Sequence, residues 1–61
     1  MGKHSITIHT DNAAFSDDPN AETARILRHI ADQVEQGVDH IPVYDINGNR
    51  VGTYMYEHDM D

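Results

Sequence analysis

Five histidines are the residues of this sequence with the widest chemical repertoire, because an imidazole can bind a metal ion or exchange a proton near neutral pH. A metal site on one helix needs two histidines on the same face, as in the H-E-x-x-H motif, and the sequence contains no such pair. The five fall in different predicted elements, at His4, His9, His29, His40 and His58. We therefore expect no metal site, and we expect surface imidazoles whose protonation at low pH offsets much of the negative charge.

The segment 45–50, which reads DINGNR, begins like a calcium-binding loop, in which alternating oxygen ligands surround the ion. The match ends at its sixth position, because Arg50 stands where the motif has glycine. The twelfth position is Tyr56 rather than a glutamate that could bind calcium through both oxygens. We interpret this segment as the turn of a β-hairpin and predict no cofactor.

Signatures of catalysis are missing from the sequence, which has no G-x-S-x-G nucleophile elbow, no P-loop and no cysteine. Asp17 and Asp18 are adjacent carboxylates, but capping explains their position just before a predicted helix. Arg25 and Arg28 are flanked by acidic residues and are expected to form ion pairs on the helix surface. The sequence therefore predicts a protein that acts by binding and is not an enzyme.

The element that positions the rest of the chain is a predicted helix over residues 19–36. Asp18 can cap its first turn, Pro19 suits the first helical position, and Gly37 can end the helix in the left-handed conformation. Apolar side chains recur at the spacing of a single helix face and form a stripe that Val38 continues. The stripe consists of Leu27, Ile30, Ala31 and Val34. We expect it to cover one face of a small sheet.

The segment before the helix predicts one strand, because residues 5–10 alternate between polar and apolar side chains. Phe15, in the connection that follows, is expected to fold back onto the helix as a core residue. Residues 1–4 and 57–61 are expected to be flexible tails.

Two further strands follow the helix. Residues 41–46 and 49–56 flank Asn47-Gly48, a pair typical of a type I′ hairpin turn because both residues tolerate a positive φ. The first strand can pair with either edge of the hairpin, and we favour the third strand because Pro42 in the second lacks a backbone N–H. The predicted fold class is α+β with the order βαββ: a three-stranded antiparallel sheet with one helix packed on one face, in a single domain.

The length of the hairpin loop decides which side chains share a face of the sheet. A two-residue loop groups Ile41, Val43, Tyr54 and Tyr56 on one face, and Tyr44, Ile46, Val51 and Met55 on the other. A three-residue loop groups Ile41, Val43, Val51 and Met55 on one face, and Tyr44, Ile46, Tyr54 and Tyr56 on the other. We favour the three-residue loop because it separates an aliphatic core from an aromatic surface. It predicts an exposed patch of Tyr44, Tyr54 and Tyr56, of the kind that mediates association.

Eleven acidic residues against four basic ones give the chain a formal net charge of −7. Such a surface repels nucleic acid and anionic membranes, so we expect neither as a direct partner and instead a protein with a basic surface. A chain of 61 residues forms one domain with a small core and marginal stability. The lack of cysteine is compatible with the cytoplasm, and no apolar run indicates a signal peptide or a membrane span.

Three stretches of the sequence are similar to a known family. Residues 10–15 read TDNAAF, residues 24–28 read ARILR, and residues 45–52 read DINGNRVG. Together they resemble a family of short, functionally uncharacterised proteins encoded in tailed phages and prophages, and the resemblance covers most of residues 5–56. The resemblance implies a phage protein that acts in the host cytoplasm, and it implies no catalytic residues.

Small size, strong negative charge and the lack of recognisable chemistry favour an inhibitor of a host defence complex, for instance an anti-CRISPR that covers a basic nucleic-acid-binding groove. The carboxylates expected to bind the partner include Asp11, Asp17, Asp18, Asp32 and Glu35. The alternative is a homodimeric interaction module that associates through its uncovered sheet face and the three tyrosines. Salt should weaken the first kind of binding steeply and the second only slightly.

Overall fold

The backbone has the βαββ order that the sequence predicts. The computed structural model describes residues 2–58. Strand β1 (Lys3–Ile8) is followed by a short 3₁₀-helix (Ala13–Phe15), helix α1 (Pro19–Glu35), strand β2 (His40–Tyr44) and strand β3 (Arg50–Glu57). The three strands form one antiparallel sheet with α1 on one face, so the predicted α+β fold class is confirmed.

Helix α1 begins and ends at the residues that its capping signals indicate. The Asp18 carboxylate accepts a hydrogen bond from the Ala21 backbone N–H at 3.0 Å, and Pro19 occupies the first turn. Gln36 is the C-cap, and Gly37 follows it with a φ of 91°, which a glycine adopts without strain. The helix is one residue shorter than predicted.

The buried face of α1 differs from the predicted stripe. Ile26 and Ile30 are buried and Val34 is half-buried, whereas Leu27 is 42% exposed and Ala31 is exposed. Including Leu27 and Ala31 in the stripe was therefore wrong, as was its continuation to Val38, which is exposed as well. The buried residues follow an i, i+4 row that starts at Glu22, because this side chain holds the first turns of α1 against the hairpin loop.

The sheet has the strand order β1-β3-β2, which confirms the predicted pairing of the first strand with the third. Lys3 lies opposite Glu57, and their side chains form an exposed ion pair at 3.5 Å. Both strands have the predicted length but are shifted along the chain, β1 toward the N-terminus to Lys3–Ile8 and β3 toward the C-terminus to Arg50–Glu57. The prediction that Lys3, His4 and Glu57 belong to flexible tails was therefore wrong. The remainder of the predicted tails includes residues 1 and 59–61, which lie outside the described residues.

The hairpin loop contains three residues, Ile46, Asn47 and Gly48. The Gly48 N–H donates to the Asp45 carbonyl at 3.0 Å, and the Asp45 N–H donates to the Asn49 carbonyl at 2.9 Å. Gly48 has a φ of 87°, and Asn47 has no positive φ. The turn is therefore of the type I class with a left-handed glycine after it, and the predicted type I′ turn was wrong.

A β-bulge near the start of β3 changes which β3 side chains face the helix, compared with the assignment that a three-residue loop predicts. Tyr44 lies opposite Arg50, yet Val43 lies opposite Gly52, which leaves Val51 as an extra residue on β3. All residues after the bulge consequently move to the other face of the sheet.

The bulge turns Tyr54 and Tyr56 toward the helix, where Tyr54 is only 2% exposed and Tyr56 is half-buried. Met55 points to the uncovered face and is exposed. The predicted exposed patch of Tyr44, Tyr54 and Tyr56 was therefore wrong. The three-residue loop on which that prediction was based is present, but the residues of β3 after Val51 face the opposite side of the sheet from the one predicted.

The core lies between α1 and the face of the sheet that carries Val43 and Tyr54. Phe15 is buried in it, as predicted. Its buried apolar members are Phe15, Ile26, Ile30, Ile41, Val43, Val51 and Tyr54. Ile6, on the same face at the edge strand, is 45% exposed because α1 lies closest to β2 and the 3₁₀-helix. No helix within residues 2–58 has the length and apolar character of a membrane span.

Candidate functional site: a histidine and tyrosine pocket

The ends of β1 and β3 and the turn after α1 enclose a shallow pocket of about 270 Å³. His4 lies directly opposite Tyr56 on the neighbouring strand, so both side chains project from the helix-covered face. The residues around the pocket are His4, Val34, Gly37, Val38, Asp39, Tyr54, Tyr56 and His58. We call this group the His-Tyr pocket.

The inner wall of the His-Tyr pocket is fixed by a hydrogen bond between His4 Nδ1 and the Tyr54 hydroxyl at 2.6 Å. A buried phenol needs a polar partner, and His4 supplies it. The His4 ring also stacks on Tyr56, with ring centroids 4.4 Å apart and planes inclined by 30°. The three side chains therefore hold one another in place.

The rim of the pocket is formed by Asp39 and His58. His58 Nε2 lies 3.0 Å from Asp39 Oδ2, and the His58 and Tyr56 rings make a T-shaped contact with centroids 4.4 Å apart and planes inclined by 76°. The hydrogen bond from His58 lowers the pKa of the Asp39 carboxyl. Asp39 is positioned by its backbone, since its carbonyl accepts the Tyr56 N–H at 2.8 Å.

This combination of groups is suited to binding a cation that also has an apolar part. The faces of aromatic rings attract cations, the Asp39 carboxylate adds a negative charge, and Val34 and Val38 supply apolar contact. Within residues 2–58 no three histidine, aspartate or glutamate side chains are arranged to hold a metal ion. The aromatic rings, the carboxylate and the apolar side chains of the pocket together match the chemistry of an organic cation.

Two buried carboxylates at the opposite end of the sheet have structural roles. Glu22 accepts two hydrogen bonds from Arg25, each 2.8 Å long, and a third from the Ile46 N–H at 2.9 Å. The bonds from Arg25 lower the pKa of Glu22, burial raises it, and the bond from Ile46 lowers it further; the net shift is downward. Glu22 thus ties the hairpin loop to the helix.

Asp45 organises the same loop from within. Its carboxylate accepts the backbone N–H groups of Asn47 and Asn49, both at 2.9 Å, and the Asn12 side-chain amide at 3.1 Å. Burial by itself raises the pKa of Asp45, but the hydrogen bonds together outweigh it, so that the pKa lies below its ordinary value. The segment that resembles a calcium loop is therefore the hairpin turn that the sequence predicts, with its first carboxylate occupied by N–H donors.

The acidic residues predicted to bind a partner are all exposed, but the fold places them in two groups. Asp11, Asp17 and Asp18 surround the 3₁₀-helix and the start of α1. Asp32 and Glu35 lie on the outer side of the last turns of α1. Because α1 has 17 residues, the two groups are separated by roughly 20 Å along its axis.

The three tyrosines predicted to bind a partner are divided between the two faces of the sheet. Tyr44 is 51% exposed on the uncovered face, whereas Tyr54 and Tyr56 line the His-Tyr pocket on the covered face. The uncovered face carries polar side chains over much of its area, among them Ser5, Thr7, Thr53 and Glu57.

Sequence reasoning predicted Tyr54 and Tyr56 as binding residues and missed the other members of the pocket, among them its two imidazoles and its carboxylate, His4, His58 and Asp39. The alternation of Ile6 and Ile8 continues back to His4, and that signal could have extended the first strand. His58 carries no comparable signal, because its position depends on the bulge and on a contact with Asp39 across the chain.

Comparison with known proteins finds no matching family model and no significantly similar curated protein or solved structure. The resemblance to short proteins of tailed phages and prophages therefore stays a prediction.

Proposed function

We propose that this protein acts by binding a partner protein that has a basic, nucleic-acid-binding surface, and that it inhibits the partner by covering that surface. The partner that we propose is a host defence complex of the anti-CRISPR target type, which the chain would meet in the cytoplasm of the host. The proposal assigns no catalytic step to the chain.

The observation that carries the proposal is the distribution of charge on the exposed surface. The two buried carboxylates are used inside the fold, and Lys3 and Arg25 are paired with acidic side chains. Five further carboxylates, those of Asp11, Asp17, Asp18, Asp32 and Glu35, face the solvent in two groups, one near each end of α1. Two groups of carboxylates about 20 Å apart resemble separated phosphates of a nucleic-acid backbone in charge and in extent.

The homodimer alternative depends on the uncovered sheet face. With Tyr54 and Tyr56 on the other face, the large apolar side chains of β2 and β3 that stay exposed are Tyr44 and Met55, and Ile46 is exposed in the adjoining hairpin loop. The polar character of this face supports the basic-partner proposal over self-association.

The proposal is tested by capture from a host lysate with the immobilised protein at low and at high salt, with identification by mass spectrometry. An acid variant with Asp11→Asn, Asp17→Asn, Asp32→Asn and Glu35→Gln removes charge and leaves the buried carboxylates and the Asp18 cap intact. We expect the native chain to retain a nucleic-acid-binding complex that salt releases, and the acid variant to lose it.

A matched control carries Tyr44→Ser and Met55→Ser on the uncovered face. It should retain the complex as well as the native chain does. Retention by the acid variant and loss by this control would contradict the proposal and support an apolar interface instead. Sedimentation of the native chain and both variants at tens of micromolar completes the test. If the native chain and the acid variant are dimers and the control variant is a monomer, the homodimer alternative is favoured.

A further inference from the structure

We propose that the His-Tyr pocket binds one arginine side chain, with the guanidinium in the place that the His58 ring occupies between Tyr56 and Asp39. This inference rests on the proposed function in one respect: the arginine belongs to the basic surface of the partner. The pocket itself is defined by the geometry of this chain alone.

The contacts of His58 are those that a guest cation would make. Its ring packs against the Tyr56 ring at a centroid distance of 4.4 Å, and its Nε2 lies 3.0 Å from Asp39 Oδ2. A guanidinium placed there makes a cation–π contact with Tyr56 and charge-assisted hydrogen bonds to Asp39. The pocket thus already contains a group of this chain that stands in for the guest.

His58 is held weakly enough to be displaced. Its side chain is 61% exposed and that of Asp39 is 57% exposed, and an ion pair between exposed groups contributes little to stability. The inner wall, by contrast, is fixed, because His4 is bonded to Tyr54 and stacked on Tyr56. A guest therefore meets a preformed aromatic wall and replaces one side chain at the rim.

The size and composition of the pocket favour arginine over other cations. Its volume of about 270 Å³ lies below the range of pockets that bind drug-sized ligands, so it has room for a single side chain. Val34 and Val38 can contact the aliphatic stem. A planar guanidinium both stacks on an aromatic ring and binds a carboxylate through two N–H groups, whereas an ammonium acts as a point charge.

The experiment is an NMR titration of the full chain with N-acetyl-arginine amide, N-acetyl-lysine amide and N-acetyl-citrulline amide at neutral pH. Citrulline has the shape of arginine without its charge. We expect arginine to shift the backbone signals of residues 34–39 and 54–58, with lysine weaker and citrulline without effect. Equal shifts from citrulline would overturn the cation assignment, and lysine binding as tightly as arginine would overturn the guanidinium geometry.

Three variants place the guest within the pocket. Asp39→Asn should weaken arginine binding by about tenfold or more, because a hydrogen bond to a charged group is lost. Glu57→Gln removes the same charge from an exposed carboxylate on the uncovered face of β3, outside the pocket, and should change the affinity less than twofold. Equal losses in the two variants would show general charge attraction and overturn the proposal.

His58→Ala removes the competing side chain and should tighten arginine binding several-fold. Unchanged or weaker binding would overturn the placement of the guanidinium in the position of His58. All three positions are exposed, so circular dichroism can verify that each variant folds.

The two proposals can fail separately. Arginine binding without capture of a basic partner would leave the pocket standing and reject the proposed function. Capture of a partner that Asp39→Asn leaves unchanged, together with no response to arginine, would reject the pocket and keep the acidic surface.

Discussion

Glu22 and Asp45 are carboxylates that this acidic chain buries instead of exposing. Each carboxylate binds N–H donors that are close to it in sequence, Arg25 for Glu22 and the loop residues for Asp45. Each also binds one donor that is distant in sequence, Ile46 for Glu22 and Asn12 for Asp45. Within residues 2–58 no buried side-chain nitrogen or oxygen lacks a hydrogen-bond partner. The two carboxylates therefore define where the loop, the 3₁₀-helix and α1 meet.

The lowered pKa values of Glu22 and Asp45 predict that acid destabilises the fold. A carboxyl with a lower pKa in the folded than in the unfolded chain stabilises the folded state above the unfolded pKa, about pH 4. This stabilisation is lost as the pH falls through the folded pKa. We expect the melting temperature, measured by circular dichroism, to fall between about pH 5 and about pH 3.

Glu22→Gln is the matched variant for this prediction, because glutamine keeps the shape of the side chain without its titration. It should melt at a lower temperature than the native chain at pH 7 and depend less on pH below about pH 5. If the melting temperature falls equally steeply with decreasing pH in both proteins, Glu22 contributes nothing to the acid sensitivity.

Individual side chains show which parts of the candidate site the sequence could predict. The exposure of Asp11, Asp17 and Glu35 follows from charge alone, because an unpaired carboxylate is costly to bury. Tyr54 has an apolar ring and a hydroxyl and is suited to either surface or core, so its burial depends on a partner such as His4. That partner comes from the other end of the chain, where no local pattern indicates it.

At the scale of elements, local sequence signals were sufficient to predict where the helix and the hairpin lie. They were not sufficient to predict which side chains of β3 face the helix. Helix α1 has the predicted start because Asp18 and Pro19 act within one turn of it, and the hairpin has the predicted position because of Asn47-Gly48. The bulge at Val51 has no comparable local signal. It inserts one residue into the register, and one residue is enough to exchange the two faces of β3.

Gly52 identifies the reason for the bulge. A Cβ atom at this position would collide with the backbone of Thr7 and Ile8 on β1, so the close approach of β1 to β3 needs a residue without a side chain. The bulge aligns Gly52 with Ile8 and Val43 on the face that the helix covers.

We predict that Gly52→Ala destabilises the fold by about 3 kcal/mol, because the added methyl group must displace backbone atoms. Gly48→Ala is the matched control: it has the same effect on the unfolded chain, and nothing in the folded chain lies within contact distance of the new methyl group. Its cost should be about 1 kcal/mol, from the left-handed backbone conformation of this residue.

Urea denaturation of the two variants measures the difference. If Gly48→Ala proves the more damaging substitution, the close contact between β1 and β3 is not a constraint on the fold. A decrease in the free energy of unfolding of well under about 3 kcal/mol for Gly52→Ala would lead to the same conclusion.

At the scale of the whole molecule, charge and size act against stability. A formal net charge of −7 on a chain of 61 residues produces self-repulsion in the folded state, and so small a domain has a limited core to oppose it. The few ion pairs within residues 2–58 include one between exposed groups, Lys3 and Glu57. Salt weakens both the repulsion between carboxylates and the attraction within ion pairs. Because the repulsion is the larger of the two here, screening should stabilise the fold.

We predict that about 0.5 M sodium chloride raises the melting temperature at pH 7 by several degrees relative to low salt. The acid variant, which lacks four of the repelling charges, should gain less. A melting temperature that falls with salt in the native chain would mean that attractive pairs outweigh the repulsion between the exposed carboxylates.

The strand order β1-β3-β2 also has a consequence for the course of folding. Helix α1 and the β2–β3 hairpin join residues that are close in sequence, whereas β1 must find β3 from the opposite end of the chain. Closing so long a loop has a large entropic cost, and contacts of this kind are expected to form late. Because His4 belongs to β1, the wall of the His-Tyr pocket is assembled only when this last strand docks, so a chain that binds arginine has already completed its fold.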